Sequence, residues 1–141
     1  MTRWAEKYMG LRFLDGGRDF PAVDCWGLVC LVFRHEQGIE LPPYGDISAR
    51  DLMSVAREMG AGKSAPPWLP ATPPFRAFDI AGMRACPGTA SPRSAVVHAG
   101  VLTAPGRLLH IEAGQGVHHV PLDHFSVKSR LILFRRHEAL T

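Results

Sequence analysis

A cysteine at the start of an apolar segment is the first candidate for chemistry in this chain. Residues 20–33 read FPAVDCWGLVCLVF, so Cys25 directly follows Asp24. Aspartate is a favoured helix N-cap, which predicts a helix that begins at Cys25. A thiol attacks carbonyl groups as the thiolate, and its pKa of about 8.5 falls to about 3.5–7.5 at a helix N-terminus or beside an imidazolium. We therefore expect a lowered pKa for Cys25 and first-turn amides that can bind an oxyanion.

A thiol nucleophile also needs a histidine base and a group that orients this base. His98 and His110 lie in neighbouring strand patterns, with TAPG between them. If the hairpin is centred near Ala104, the two histidines lie directly opposite each other, with their Cβ atoms about 4.5–5.5 Å apart. A shift of one residue would turn one of them to the other face of the sheet. The alternative for Cys25 is a core position, since free cysteine is among the most buried residue types.

The elements that must position these side chains follow from the apolar pattern and the turn residues. We expect a short helix at 2–9 and a helix from Cys25 to Gln37 that is buried all round and ends at Gly38. Five strands are predicted, at 78–84, 95–103, 107–113, 117–121 and 130–136. Helices followed by adjacent strands predict one α+β domain over residues 1–141, in which an antiparallel sheet of about five strands packs on the Cys25 helix.

Residues 41–77 have a different composition, with the proline-rich segments LPPYG and APPWLPATPPF. We expect an irregular surface excursion with one amphipathic helix at about 49–59. A connector is the simpler interpretation and a lid over a cleft the alternative. Trp68 would become a candidate docking residue if it were exposed.

The overall composition excludes several classes of protein. The 141 residues carry a formal charge of +3, which is too small for a dedicated nucleic-acid binder. We interpret Arg130, Arg135 and Arg136 as a solvated strand end. No apolar stretch approaches the roughly 20 residues of a membrane span, so membrane insertion is not expected. The polar start MTRWAEKYMG does not resemble a signal peptide, which predicts synthesis in the cytoplasm.

The other cysteines, histidines and Asp79 receive structural or surface interpretations. Three cysteines form an odd set, which argues against a disulfide framework. Neighbouring histidines in a strand point to opposite faces, and no CxxC or HExxH pattern supports zinc, so no metal or cofactor is expected. Cys30 is expected in the core and Cys86 facing solvent. We expect His35 and His137 to be solvated and Asp79 to be a turn residue or a strand-end hydrogen-bond acceptor. Structural or surface roles are expected for the remaining histidines, His118, His119 and His124.

Five segments together resemble the NlpC-type cysteine peptidases, papain-like enzymes that cut bacterial cell-wall peptides. Residues 10–17 match the glycine-bearing segment that precedes the nucleophile, and residues 24–29 match the nucleophile motif. Residues 78–80 match the first strand, 98–101 the strand of the general base, and 109–111 the strand that carries the third polar residue of the catalytic set. The resemblance covers nearly the whole chain. At Phe78-Asp79 a Gly-Asp pair is usual in the family.

The resemblance implies roles for individual residues. Cys25 would be the nucleophile, His98 the general base and His110 the residue that orients His98. Asp24, Trp26 and Phe13 would border the substrate cleft. Many bacterial members have Ser in place of Trp26 and Tyr in place of Phe13, which leaves the exact substrate open.

The GGRD lead-in, the tryptophan after the cysteine and LPPYG resemble members encoded by tailed phages and gene transfer agents. This implies a component of a phage-like tail that contacts other tail or baseplate proteins and opens the cell wall during DNA delivery. The substrate would be the peptidoglycan stem peptide, cut at the γ-D-glutamyl–diaminopimelate bond. A structural tail-tip protein with a vestigial site, and an acyltransferase or amidase, are the alternatives.

Overall fold

A computed structural model describes residues 3–41, 67–86 and 96–141 of the chain. No helix in these ranges is long and apolar enough to cross a bilayer. The strands are β1 (Arg12–Phe13), β2 (Arg18–Asp19), β3 (Ala22–Val23), β4 (Trp68–Pro70), β5 (Ile80–Met83), β6 (His98–Ala104), β7 (Arg107–Glu112), β8 (Gly116–Pro121) and β9 (Leu131–His137). The helices are α1 (Cys25–Val32), a π-helical turn (Phe33–Gln37) and the 3-10 helices Arg3–Tyr8, Lys128–Arg130 and Glu138–Leu140.

The main sheet is antiparallel and has six strands in the order β4-β9-β5-β6-β7-β8. The five strands predicted from the sequence are all present. The sixth, β4, lies inside the proline-rich segment and, among the described strands, pairs with β9 alone. An edge position tolerates Pro70, whose missing N–H would break the pairing of a central strand. The three short strands β1, β3 and β2 form a separate small sheet beside α1.

The helix that begins at Cys25 forms as predicted. The Asp24 carboxylate accepts a hydrogen bond from the Gly27 amide at 2.7 Å, which caps the first turn. All eight residues of α1 are buried. The helix continues through the π-helical turn and stops at Gly38. The φ of Gly38 is +65°, a left-handed conformation that glycine adopts at low cost.

Apolar residues cover both faces of the main sheet. On one face, α1 packs against β6 and β7. On the other, Leu102 and Leu108 form a smaller cluster with Met83 and Val127. The sheet is therefore buried on both sides near β5, β6 and β7.

Trp68 is fully buried, so the sequence-based suggestion of an exposed docking residue does not hold. Its ring packs edge-on against Trp26 and Phe33, with centroid distances of 6.2 and 6.0 Å. β4 thereby closes the core at the helix side of the sheet. The helix predicted at 49–59 lies outside the described residues.

The arginines near β9 are not a solvated strand end, and this expectation is corrected. Arg130 and Arg135 are buried. Arg136 donates two hydrogen bonds of 2.7 Å to the carboxylate of the buried Asp79. Asp79 also accepts from the Arg76 amide, so it serves as a hydrogen-bond acceptor at the start of β5. This charge-assisted pair connects β5 to β9.

Phe78, at the position where the resemblance implies a glycine, has a φ of +72°. Such a conformation is uncommon for a residue with a Cβ atom. The ring stacks on Trp4 with a centroid distance of 5.0 Å and contacts Phe33 edge-on at 6.2 Å. In this conformation the Phe78 ring packs against the core around α1.

Gly27→Ala is expected to lower the free energy of unfolding by about 2–4 kcal/mol. A Cβ atom at this position would overlap the carbonyl oxygen of Gly17, and this backbone group cannot move aside as a flexible side chain could. Urea denaturation followed by circular dichroism measures the loss. Gly106→Ala is the matched control, because no atom lies within 4 Å of its added Cβ; its stability should change by less than about 1 kcal/mol. Equal stabilities of the two variants would contradict the prediction.

Candidate active site

The start of α1 is held by the carboxylate of Asp24, which is buried. Besides the Gly27 amide, it accepts hydrogen bonds from the Gly16 amide at 2.9 Å and from Arg18 Nη1 at 2.6 Å. The glycine-bearing lead-in and the first turn of α1 therefore share one carboxylate. This arrangement fixes the position of Cys25, the first residue of the helix.

Two of the three residues expected at the substrate cleft do not line the cavity described below. Asp24 is 1% exposed and its carboxylate is engaged by the contacts above, whereas Trp26 is 1% exposed and packs on Trp68. A cleft role for Asp24 and Trp26 therefore stays a prediction from the resemblance. Phe13 does line the cavity described below.

The β6–β7 hairpin has a register that differs from the prediction by two residues. Val101 pairs with Leu109 and Leu102 with Leu108, and the register shifts between Leu102 and Ala104 because of an irregularity near the turn. Continued along β6, this register places His98 opposite Glu112 rather than opposite His110. An even shift keeps every side chain on its original face, so His98 and His110 still lie on one side of the sheet.

The two histidines form a direct hydrogen bond. His98 Nε2 and His110 Nδ1 are 2.8 Å apart, and both residues are buried. Because Nε2 of His98 is occupied by His110, only Nδ1 of His98 remains to exchange a proton with a nucleophile. His110 therefore restricts both the tautomer and the orientation of His98.

Glu112 is a member of this cluster that the sequence analysis missed. Its Oε1 lies 3.5 Å from His110 Nδ1 and 3.9 Å from His98 Nε2. The same oxygen accepts a hydrogen bond from Arg130 Nη1 at 2.6 Å. The only sequence signal for Glu112 is its separation of two residues from His110, which places both on the same strand face.

A cavity of about 360 Å³ connects the helix start with the histidine pair. Cys25 and His98 both line it. The other lining residues are Phe13, Ala85, Cys86, Val97, Ile111, Glu112, Ala113 and Arg130. The thiol, one imidazole and an ion pair therefore face the same space.

The electrostatics of the site correct the expected thiol pKa. Burial raises the pKa of Cys25 to about 12, and the backbone amides of Ala99 and Trp26 oppose this only in part. Burial, together with the neighbouring His110, lowers the pKa of His98 to about 3. With the cysteine only 2% exposed, the desolvation of a thiolate outweighs the stabilising effect of the helix N-terminus. At neutral pH the site contains a neutral thiol and a neutral imidazole.

His98, His110 and Glu112 also have donor atoms within 4.8 Å of one another, as a metal site requires. Two imidazoles and a carboxylate are a ligand set that zinc accepts. Here, however, the imidazole nitrogens share one hydrogen, and the guanidinium of Arg130 already pairs with the carboxylate. The positive charge of Arg130 opposes a cation at this place. The geometry therefore fits a hydrogen-bonded network better than a metal centre.

The remaining histidines have mainly structural contacts. His119 hydrogen-bonds to Thr103 Oγ1 at 2.7 Å, and His124 to Ser126 Oγ at 2.7 Å. His118 pairs with His110 across β7 and β8. The expectation that His137 is solvated is wrong, since it is buried against Trp68 with a centroid distance of 5.3 Å. His35 is exposed, as predicted.

The cysteines other than Cys25 lie where they were expected. Cys30 is buried in α1, and Cys86 is exposed in the loop after β5. None of the chain's three cysteines, all of which lie in described segments, is in a disulfide. Cys86 nevertheless borders the cavity, and its Sγ is 3.6 Å from Glu112 Oε2.

The fold is that of the NlpC/P60 domains, an α+β papain-like fold. A lipoprotein-like member of the NLP/P60 family from Staphylococcus aureus subsp. aureus Mu50 has a TM-score of 0.62 and 21% identity, over 94% of this chain and 38% of its own. The NlpC/p60 domain of the peptidoglycan hydrolase SagA has a TM-score of 0.58 and 20% identity, over 94% and 91%. NlpC2 of Trichomonas vaginalis has a TM-score of 0.64 and 14% identity, over 96% and 44%.

The chain thus spans less than half of the first and third of these proteins. No family model and no curated protein matches the sequence. The structural likeness therefore establishes the fold, and the fold class predicted from the sequence is confirmed. The roles of individual residues rest on the geometry of the site.

The free energy of unfolding should fall when the pH is lowered below about 6.5, by about 1.4 kcal/mol per pH unit for each buried neutral histidine. The pKa of His98 is lower in the folded chain than in the unfolded one, so the unfolded chain binds the proton first. Urea denaturation between about pH 7 and pH 5 should give a smaller slope for His98→Asn than for the wild type. His35→Asn, at an exposed position, is the control. Equal slopes in the wild type and His98→Asn would refute the prediction.

Proposed function

We propose that the protein is a cysteine peptidase that hydrolyses peptide bonds in the stem of peptidoglycan. The observation that supports this most is the placement of Cys25 and His98 on one cavity, with His110 hydrogen-bonded behind His98. The fold is shared with a domain of the peptidoglycan hydrolase SagA. Together these features favour nucleophilic attack by sulfur over a binding role.

In the proposed reaction the Cys25 sulfur forms a bond to the substrate carbonyl carbon while its proton moves to His98 Nδ1. The neutral thiol and imidazole make this a general-base step that coincides with attack. His98 then gives the proton to the leaving amine as the C–N bond breaks. Water hydrolyses the resulting thioester, with His98 acting again as base, and regenerates the thiol.

Two other groups assist in this mechanism. His110 holds His98 in the tautomer with Nδ1 available, through the 2.8 Å hydrogen bond. Backbone amides near the sulfur, among them that of Trp26 in the first turn of α1, are candidates to stabilise the oxyanion. Phe13, on the cavity wall, would contact the substrate through an apolar ring.

The more specific proposal is that the protein acts in the tail of a phage-like particle. There it would cut the γ-D-glutamyl–diaminopimelate bond of the target cell wall during DNA delivery, in contact with other tail or baseplate proteins. This rests on the sequence resemblance described above. The structural tail-tip alternative was motivated by the proline-rich excursion with Trp68, and burial makes the Trp68 ring itself unavailable for docking.

Cys25→Ala should reduce the release of muropeptides from purified sacculi by at least about a thousandfold, because an alanine side chain cannot form the thioester. Mass spectrometry of the soluble fragments identifies both the products and the bond that is cut. Amine adducts in place of free carboxylates would indicate an acyltransferase.

Cys30→Ala is the matched control, since this cysteine lies on the same helix but does not line the cavity. Its activity should remain within about threefold of the wild type once folding is verified by circular dichroism. Undiminished muropeptide release by Cys25→Ala would reject the assignment of the nucleophile.

A further inference from the structure

Glu112 is held in place from several sides. It lies at the end of β7, where the half-buried carboxylate accepts the 2.6 Å hydrogen bond from Arg130. Arg130 in turn donates to the carbonyl oxygens of Arg84 at 3.1 Å and Ser126 at 3.2 Å. Through Arg130, the carboxylate is connected to the segments around Arg84 and Ser126, so its position does not depend on β7 alone.

The anchored carboxylate faces the side of the histidine pair where positive charge would develop. When His98 accepts a proton from Cys25, its ring becomes an imidazolium within a buried environment. His110 is a neutral acceptor and offers no full negative charge. Glu112 Oε1, at 3.9 Å from His98 Nε2, is the nearby negative charge that the described residues provide.

We propose that Glu112 is a positioning residue that stabilises the protonated form of His98 during attack by Cys25. This rests on the proposed function, because it assigns Glu112 a role in the same proton transfer. Glu112 stays ionised throughout and takes no proton. Arg130 sets the place of the carboxylate.

The charges around His98 act in opposite directions. Glu112 favours protonation of His98, whereas His110, Arg130 and His118 disfavour it. Burial tends to raise the pKa of Glu112 itself, but the hydrogen bond from Arg130 and the nearby histidines lower it overall, so this carboxyl is ionised at neutral pH. Among the described residues, the titratable and charged groups around Glu112 come from α1, from the main sheet and from the segments next to it. They are Cys25, Cys86, His98, His110, His118, His124 and Arg130.

The test is the alkylation of Cys25 by chloroacetamide near pH 7, measured by peptide mapping in the full chain. In this reaction the sulfur displaces chloride and the thiol proton moves to His98, so the rate reports the same proton transfer without a cell-wall substrate. Glu112→Gln keeps an acceptor for Arg130 but removes the charge. We expect alkylation of Cys25 to be about 10- to 100-fold slower in this variant.

The direction of the change separates this role from a structural one. Cys25 is 2% exposed, so a variant that merely loosened the site would expose the sulfur and speed up its alkylation. Glu112→Asp retains the charge and should recover most of the rate. Glu6→Gln removes an exposed carboxylate elsewhere and should leave the rate unchanged.

An unchanged or faster rate in Glu112→Gln would overturn the proposal, as would a slow rate that Glu112→Asp does not recover. If the glutamine variant does not fold, Glu112→Met serves as the neutral variant, with the same outcomes. On sacculi, Glu112→Gln should lower kcat and leave KM nearly unchanged. A wild type that alkylates as expected but releases no muropeptides would refute the proposed function while leaving the role of Glu112 in proton transfer supported.

Discussion

The fixed start of α1 is the constraint on which the site depends. Asp24 uses one buried carboxylate to bind an amide of the helix, an amide of the lead-in loop and the guanidinium of Arg18. Gly27 allows the first turn to lie directly on the carbonyl of Gly17. With these contacts the helix cannot rotate or shift along its axis without leaving a buried charge unpaired, which is costly. Cys25 is consequently held against β6, whose Ala99 amide contacts its sulfur.

The sheet supplies the second half of the site through the pairing of β6 with β7. Side chains in a strand alternate between the two faces of the sheet. Whether His98 and His110 lie on the same face therefore depends only on whether the register shift is even or odd. The observed shift of two residues preserves the histidine pair and brings Glu112 opposite His98. The Arg130 contact then connects this hairpin to the segment before β9. The helix, the hairpin and the segment before β9 therefore each contribute one part of the network.

Much of this architecture could be predicted from local sequence. The cap at Asp24, the stop at Gly38, the strands that carry the histidines and the grouping of Cys25 with His98 all follow from residue type and spacing. The strand at Trp68 could not be predicted, because two of its neighbours are prolines and its position is set by pairing with β9. The hairpin register depended on an irregularity near the turn that local sequence does not encode. Glu112 and Arg130 were missed because their pairing joins residues that are distant along the chain.

The thiol pKa was mispredicted for a related reason, since it depends on burial that only the assembled fold determines. A helix N-terminus favours a thiolate, but its effect is local and modest, whereas desolvation acts on the whole buried charge. Burial acts in the same sense on His98, so both partners of the proton transfer are neutral at rest. The thiol and the imidazole carry no charge until the proton moves, and the transfer then creates opposite charges on the sulfur and on the imidazole. This proton transfer requires groups that stabilise both new charges. The backbone dipoles near the sulfur and the Glu112 carboxylate near the imidazole are fixed in place, so they do not have to reorganise when the charges form.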